Sequence, residues 1–107
     1  MTTLNPDAGL TVVINTFRVK PGKAEELLAL LETATEETMG RTPGFVSANF
    51  HVNDDGSRVI NYAQWRSKAD FEAMTKDPKA HAHMAKAEAL VESYEPVVCA
   101  LRWSHDA

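Results

Sequence analysis

Turn signals divide the 107-residue chain into short segments, and this division constrains the fold more than any other feature. Pro21-Gly22, Pro43-Gly44 and Asp55-Gly56 are dipeptides typical of turns. The segments between them alternate between a period of two, which is typical of strands, and a period near 3.6, which is typical of helices. The sequence therefore predicts a domain that mixes strands with helices.

The first half of the chain contains one predicted helix and three predicted strands. Thr11–Lys20 is rich in β-branched and aromatic residues and predicts the first strand. Apolar residues recur at helical spacing from Lys23 to about Met39, which predicts an amphipathic helix. Phe45–Val52 and Arg58–Arg66 then predict two strands joined by a hairpin at Asp55-Gly56.

The second half of the chain predicts a broken helix and a last strand. Ser67 begins a capping-box pattern, which predicts a short helix up to about Thr75. Asp77-Pro78 is a second helix start, and the longer helix that follows is expected to carry Tyr94. Residues 97–103 predict the final strand.

The resulting order, β-α-β-β-α-β, is that of the ferredoxin-like α+β fold, with one antiparallel four-stranded sheet and both helices on one face. The opposite face of the sheet is also substantially apolar, since Val97, Cys99, Leu101 and Trp103 alternate with Val98 and Ala100 in the last predicted strand. An apolar face needs a cover, and we expect a second copy of the chain to supply it. The sequence therefore predicts a homodimer.

Composition is that of a single soluble globular domain, with 44% hydrophobic and 24% charged residues. We expect this domain to span residues 10–104, after a flexible, turn-rich tail over residues 1–9. The net charge of −4, with dispersed Lys and Arg, does not favour nucleic acid as a partner. No segment has the pattern of a secretory signal or a membrane span, and one cysteine, Cys99, fits a reducing compartment. A cytoplasmic protein without membrane partners is expected.

The common signatures of nucleotide and metal binding do not occur. No glycine-rich phosphate loop follows a strand, and Cys99 has the context of a buried inert thiol. His81 and His83 lie on a predicted helix, where their side chains point roughly 200° apart, so they do not form a metal-binding pair. His83 falls within the apolar stripe of the helix and is either a core-edge histidine or a site residue.

Polar residues on the predicted strands are the main candidates for a site, because asparagine is depleted in strands. These residues are Asn15, Asn49, His51 and Asn61. In "VINYAQWRS", Asn61 and Trp65 share one side of the strand, either as core residues with hydrogen-bond partners or as a pocket wall. A five-residue hairpin loop would put His51 and Asn61 on one face of the sheet, and a four-residue loop would separate them.

The stretch "PGFVSANFHVNDDGSRVINYAQWRSKADFEAM" resembles the antibiotic biosynthesis monooxygenase domain family. Within it, "NYAQW" is most similar to the small monooxygenases that oxidise anthrone-type aromatic polyketides to quinones. The resemblance runs from about Val12 to Trp103. It implies a dimeric α+β barrel that acts on a small aromatic substrate with dioxygen and needs no metal, haem or bound flavin.

The resemblance also implies a site. Asn61, Trp65 and His51 match residues of the family's pocket, and we expect them to be catalytic. The family's pocket tyrosine corresponds to Phe71, and its pocket arginine has no clear counterpart, the nearest position being Met84. Residues expected to bind substrate are Asn49, Phe71, Met74, His83 and Asn15.

The hypothesis from the sequence is that Asn61 and Trp65 hold a substrate oxyanion while His51 assists proton transfer. One alternative is a haem-degrading monooxygenase of the same superfamily, because Asn15 and His83 match its asparagine and haem-ligating histidine. Its essential tryptophan, however, corresponds to Met74. Another alternative is a small-ligand-binding accessory module without catalytic activity.

Overall fold

A computed structural model describes all 107 residues. The chain folds into one sheet with its helices on a single face. The strands lie in the order β2-β3-β1-β4, and every neighbouring pair is antiparallel. This is the ferredoxin-like arrangement, so the predicted fold class is confirmed. The elements are β1 Thr11–Val19, α1 Ala24–Glu37, β2 Phe45–Val52, β3 Arg58–Trp65, α2 Lys68–Thr75, α3 Pro78–Glu88 and β4 Val91–Cys99. No helix is long and apolar enough to cross a membrane.

The main core lies between the sheet and helices α1 and α3. Leu27 of α1 and Val59 of β3 are its largest completely buried side chains. Phe17 of β1 and Ala87 of α3 pack in the same cluster, which ties both helices to the same side of the sheet. The residues that face the helices are therefore Val13, Asn15 and Phe17 in β1. In β3 they are Val59, Asn61, Ala63 and Trp65.

The predicted helix starts are confirmed by their caps. The Ser67 side chain accepts a hydrogen bond from the backbone N–H of Asp70, and the Asp77 side chain accepts one from Lys79. Pro78 occupies the first turn of α3, where its missing N–H leaves no intrahelical bond unmade.

The last strand begins earlier than predicted. β4 starts at Val91 rather than after Pro96, so Tyr94 belongs to a strand and not to a helix. The prediction of a helix through Tyr94 was wrong because Leu90, Val91 and Tyr94 happen to continue the helical spacing of α3. Pro96 is tolerated because β4 is an edge strand. The strand ends at Cys99, well before the predicted end at residue 103.

The β2–β3 hairpin has the register that separates His51 from Asn61. The backbone N–H of Asn53 donates to the carbonyl of Arg58 at 3.2 Å, which closes a four-residue loop. His51 consequently lies opposite Ile60, whereas Asn61 lies opposite Phe50. Successive residues of a strand point to opposite faces, so His51 is on the helix-free face.

A β-bulge at the start of β2 changes the side on which Phe45 lies. Phe45 pairs with Trp65, but Ser47 pairs with Gln64, so Val46 is an extra residue in the ladder. Strict alternation along β2 would place Phe45 on the same face as Ser47, Asn49 and His51, but the extra residue prevents this. The bulge turns Phe45 toward the helices and leaves Val46 47% exposed.

The first residues of the chain lie on the helix-free face of the sheet. The Thr2 hydroxyl donates to Asn49 Oδ1 at 2.7 Å, and Gln64 Nε2 donates to the carbonyl of Thr3 at 2.9 Å. These bonds give Thr2 and Thr3, which belong to the predicted flexible tail, a defined position. Gln64 is only 3% exposed beneath them. The flexibility of residues 1–9 stays a prediction.

Candidate active site

An apolar cavity lies between the sheet and the helices, next to the main core, of which Phe17 and Leu31 also line the cavity. Its volume is about 90 Å³, and 13 of its 16 lining residues are hydrophobic. The three polar residues in its wall are Asn15, Thr35 and Asn61. The Thr35 hydroxyl already donates to the Leu31 carbonyl at 2.8 Å, so the two asparagines are the polar groups left for a ligand.

The amide of Asn61 is held in one orientation by the neighbouring strand. Its Oδ1 accepts a hydrogen bond from the backbone N–H of Asn49 at 3.1 Å. An N–H group can only donate, so the atom facing it is the amide oxygen, and the amide nitrogen of Asn61 is turned away from β2. This nitrogen is a donor that a ligand in the cavity can use.

Asn15 faces Asn61 directly across the β1–β3 ladder. Its Oδ1 is buried and has no hydrogen-bond partner. Leaving a buried polar atom without a partner costs about 1–3 kcal/mol. An acceptor and a donor thus stand side by side in a wall that is otherwise apolar, which is an arrangement suited to a ligand that carries both a hydroxyl group and an oxyanion.

Trp65 belongs both to the core and to the cavity wall, so the interpretation as a core residue and the interpretation as a pocket residue both apply to it. It is 2% exposed and lines the cavity. Phe45 packs against it edge-to-face with ring centroids 5.5 Å apart, and Phe71 does so at 5.9 Å. The indole is therefore held rigidly, as a group that positions a ligand needs to be.

A larger outer cavity of about 450 Å³ adjoins the inner one. The two share Asn15 and a group of flexible or aromatic side chains, namely Met39, Phe71, Met74 and Met84. Phe71 and Met74, which the sequence predicted as substrate-binding residues, thus line both cavities. Small-molecule sites typically measure about 300–1,000 Å³, so the inner cavity alone is small and the joined cavity is of suitable size.

Tyr94 lines the outer cavity and was missed by the sequence analysis. Its hydroxyl donates to Glu88 Oε1 at 3.2 Å, and its ring stacks on Phe17 with centroids 5.9 Å apart. Burial, followed by the neighbouring Glu88 carboxylate, raises the pKa of Tyr94 above its ordinary value of 10.0. The strand pattern of "VESYEPVVC", with its β-branched residues and tyrosine, was the signal that would have revealed it.

His51 and the side chain of Asn49 do not reach the cavity. His51 Nδ1 lies 3.1 Å from the carbonyl oxygen of Asn49 on the helix-free face. Asn49 Nδ2 donates to the carbonyl of Tyr62 at 2.9 Å on that same face. The hypothesis that His51 takes a proton from a ligand at Asn61 does not fit this arrangement. Asn49 contributes through its backbone N–H, which orients Asn61.

His83 lies beside the site without lining either cavity. Its Nε2 is 3.1 Å from the hydroxyl of Thr38, a residue that is 8% exposed. This is the position of a core-edge histidine with one satisfied nitrogen. For Nε2 to act as a haem ligand it would have to leave Thr38, since a ring nitrogen that binds a metal must have its lone pair free.

Fold and site together define a ferredoxin-like α+β domain that encloses an apolar cavity for a small molecule. The antibiotic biosynthesis monooxygenase family model matches residues 11–86. A tetracenomycin-F1 monooxygenase from Streptomyces glaucescens is 42% identical over 107 residues, which cover 100% of this chain and 95% of that protein. The chain belongs to the antibiotic biosynthesis monooxygenase family, as the sequence predicted, and it is an enzyme of the monooxygenase class.

Solved structures agree with this assignment at the level of the fold. A monooxygenase from the gene ActVA-Orf6 of Streptomyces coelicolor, in complex with nanaomycin D, has a TM-score of 0.84 and 26% identity, covering 94% of this chain and 95% of that one. SnoaB from Streptomyces nogalater, a cofactor-independent oxygenase, has a TM-score of 0.81 and 22% identity, covering 90% of this chain and 96% of that one.

Proposed function

We propose that this protein is a cofactor-independent monooxygenase that oxidises a phenol or anthrone of the aromatic polyketide type to a quinone with dioxygen. The observation that carries this proposal is the unpaired amide donor of Asn61 in an apolar cavity that Trp65 also lines. The tetracenomycin-F1 monooxygenase named above, which aligns over the whole chain, supports the substrate class. The nanaomycin D complex of the ActVA-Orf6 protein supports an aromatic ligand of similar chemistry.

The chemistry needs little from the protein because the substrate itself is electron-rich. An anthrone that loses one proton becomes a delocalised anion, which can pass an electron to dioxygen and then combine with it at carbon. The resulting hydroperoxide loses a second proton from that carbon and expels hydroxide. The net reaction converts one CH₂ group and one O₂ to one carbonyl group and one water.

Asn61 and Trp65 stabilise the oxyanion of the deprotonated substrate in this proposal. Both are neutral N–H donors held in place by neighbouring residues, so they need no reorganisation when the charge develops. Asn15 accepts a hydrogen bond from a substrate hydroxyl, which gives its buried Oδ1 a partner. The apolar wall formed by Phe71 and Met74 packs against the rings and excludes water, which strengthens these hydrogen bonds.

The test is oxidation of a trihydroxyanthrone in air by purified protein, followed by oxygen uptake and by absorbance of the quinone. An Asn61→Ala, Trp65→Phe double variant is expected to lose at least about 100-fold in kcat, since one oxyanion donor is typically worth that much. The matched control, Asn5→Ala with Trp103→Phe, changes the same residue types outside the cavity and is expected to retain full activity. Full activity of the Asn61 and Trp65 variant would overturn the assignment.

The proposal includes a homodimer in the cytoplasm. Ile14, Ile60, Tyr62 and Val97 form an apolar group on the helix-free face, and Val97 is 46% exposed in the single chain. A second copy that covers this face would bury the group. The free thiol of Cys99 is consistent with a reducing compartment.

A further inference from the structure

The reaction needs a group that removes a proton, and the inner cavity offers none. Its polar side chains are two asparagines and a threonine, none of which titrates in the range that enzymes use. The titratable residues that line the adjoining outer cavity are His81, Glu88 and Tyr94. This inference rests on the proposed oxidation taking place in this cavity. Because the inner part has no titratable group, the proton has to leave through the outer cavity.

Tyr94 is placed on the same sheet face as the two asparagines. It lies opposite Phe17 in the β1–β4 ladder, and Asn15 is two residues from Phe17 along β1. Two residues of a strand span roughly 7 Å, so a planar ring system held at Asn15 and Asn61 is long enough to reach the phenol. Stacking of the Tyr94 ring on Phe17 keeps the phenol at this wall of the cavity.

Glu88 connects Tyr94 to solvent. It lies at the last residue of α3, its side chain is exposed, and its Oε1 accepts the Tyr94 hydroxyl proton at 3.2 Å. A phenol that donates to a carboxylate still has lone pairs with which to accept a hydrogen bond from a substrate. Tyr94 can therefore accept one proton and release another without ever carrying a charge.

The other charged or titratable groups around the pair have separate partners. His81 Nε2 contacts the carbonyl oxygen of Thr75. Lys20 approaches from the end of β1, where its Nζ donates to the carbonyl of Ala89 at 3.0 Å. Glu92, which also belongs to β4, lines a polar groove on another part of the surface.

We propose that Tyr94 and Glu88 form the proton exit of the active site. As the C–H bond of the anthrone, or the O–H bond of its enol form, breaks, its electron pair stays on the substrate and its proton passes to the Tyr94 oxygen. The proton of the Tyr94 hydroxyl moves to the Glu88 carboxylate and from there to water. After dioxygen has added, the peroxide anion takes up one proton from solvent, which offsets the proton released through Glu88. The hydroperoxide then loses its remaining C–H proton and expels hydroxide, and these two combine as water, so that one CH₂ group and one O₂ give one carbonyl group and one water. Tyr94 touches the substrate and is a catalytic residue, whereas Glu88 acts through Tyr94.

The variants Tyr94→Phe and Glu88→Gln test this exit. Glu92→Gln, which changes a glutamate on the same strand as Tyr94, is the matched control. General acid–base groups typically contribute about 100-fold or more, so kcat of both variants is expected to fall by about that factor while KM changes less than about threefold. The acid limb of the pH profile of kcat is expected to differ between the wild type and Glu88→Gln, because only the wild type has a carboxylate at this position to receive the proton. Glu88→Asp is expected to recover part of the lost kcat.

A second measurement is independent of turnover. Ultraviolet difference titration of tyrosinate, made in a Tyr62→Phe background so that Tyr94 is the one tyrosine, follows the Tyr94 phenol alone. Because Glu88 contributes to the raised pKa of Tyr94, Glu88→Gln is expected to move it back toward 10.0. An unchanged titration would show that the two groups do not interact and would overturn the exit.

The outcomes separate this inference from the proposed function. Unchanged kcat and an unchanged acid limb in Tyr94→Phe and Glu88→Gln, with loss of activity in the Asn61 and Trp65 variant, would overturn the proton exit and leave the oxidation in place. Absence of anthrone oxidation by the wild type would overturn both. Glu88 is exposed, so its variants are expected to fold even where Tyr94→Phe is destabilised.

Discussion

At the scale of the residue, the site is marked by polar side chains that the fold does not use. Asparagine is unfavourable in a strand, and a buried oxygen without a partner is a further cost, yet Asn15 combines both. Asn49 shows the contrast: it is also on a strand, but its side chain has three hydrogen bonds, to Thr2, Ser47 and Tyr62. The unused hydrogen-bonding capacity of Asn15 is the observation that supports the binding role proposed for it.

Replacing Asn15 by Leu is therefore expected to stabilise the protein and weaken ligand binding. The free energy of unfolding should rise by about 1–2 kcal/mol, because an unpaired acceptor is exchanged for an apolar group of similar size. Affinity for a hydroxyanthraquinone product should fall about tenfold, in line with one hydrogen bond. Urea denaturation and fluorescence titration measure the two effects.

Asn49→Leu is the matched control for that substitution. It removes three satisfied hydrogen bonds and the polar anchor of the first residues, so it is expected to destabilise the protein. An Asn15→Leu variant that is destabilised as much as Asn49→Leu would contradict a ligand-binding role for the Asn15 oxygen.

The sequence was sufficient to group Asn61, Trp65, Phe71 and Met74, which line one cavity, because their spacing and the family pattern agree. Their roles in binding and catalysis stay predictions. It could not fix His51, whose face depends on whether the hairpin loop has four or five residues. It missed Tyr94, because a helical period that extends by chance past the end of α3 looks the same as a real one.

At the scale of the element, the motifs "PGF" and "WRS" form one structural unit. Gly44 has φ +86°, and a Cβ atom at this position would lie 2.4 Å from the Asp70 carboxyl group. Asp70 in turn receives two hydrogen bonds from Arg66, at 2.9 and 3.0 Å, and one from the Ser67 hydroxyl. The start of β2, the end of β3 and the start of α2 are thereby fixed together, which brings Phe45 and Phe71 against Trp65.

Gly44→Ala is expected to destabilise the protein by at least about 2 kcal/mol, since it combines a left-handed backbone conformation with a clash at Asp70. Gly9→Ala is the matched control: Gly9 has φ +68°, but a Cβ atom there would meet nothing within 4 Å. The difference between the two variants in urea denaturation isolates the clash. Equal destabilisation would contradict a close contact between β2 and α2.

The same unit has a predictable dependence on pH. Hydrogen bonds from Arg66 and Ser67 hold the pKa of Asp70 below its ordinary value of 3.8. A lowered folded-state pKa stabilises the protein above the unfolded-state value, and this stabilisation is lost as the pH falls through the folded-state value. Asp70→Asn should therefore lower Tm at neutral pH, and its difference from wild type should shrink below pH 3.8. A Tm difference that is constant over this range would contradict the interaction.

At the scale of the whole molecule, the sheet has one face covered by helices and one that is only partly covered. The first residues of the chain cover the part around Gln64, where Val12 is 3% exposed. Ile14, which pairs with Tyr62 and Val97, lies beyond this cover. The apolar character of both faces could be predicted from alternation in the strands, but the position of the first residues could not, because it depends on side-chain hydrogen bonds between distant parts of the chain.

The helix-free face is the surface on which two copies of the chain are expected to assemble. Wild-type protein is expected to have twice the chain mass of 11.8 kDa in light scattering after gel filtration, because a second copy buries the group around Val97. Val97→Asp should shift the protein toward the monomer by placing a charge in that interface. Val98→Asp is the matched control, since Val98 is 43% exposed against 46% for Val97 but faces the other side of the sheet. A monomeric wild type, or equal disruption by both substitutions, would contradict a dimer formed through the helix-free face.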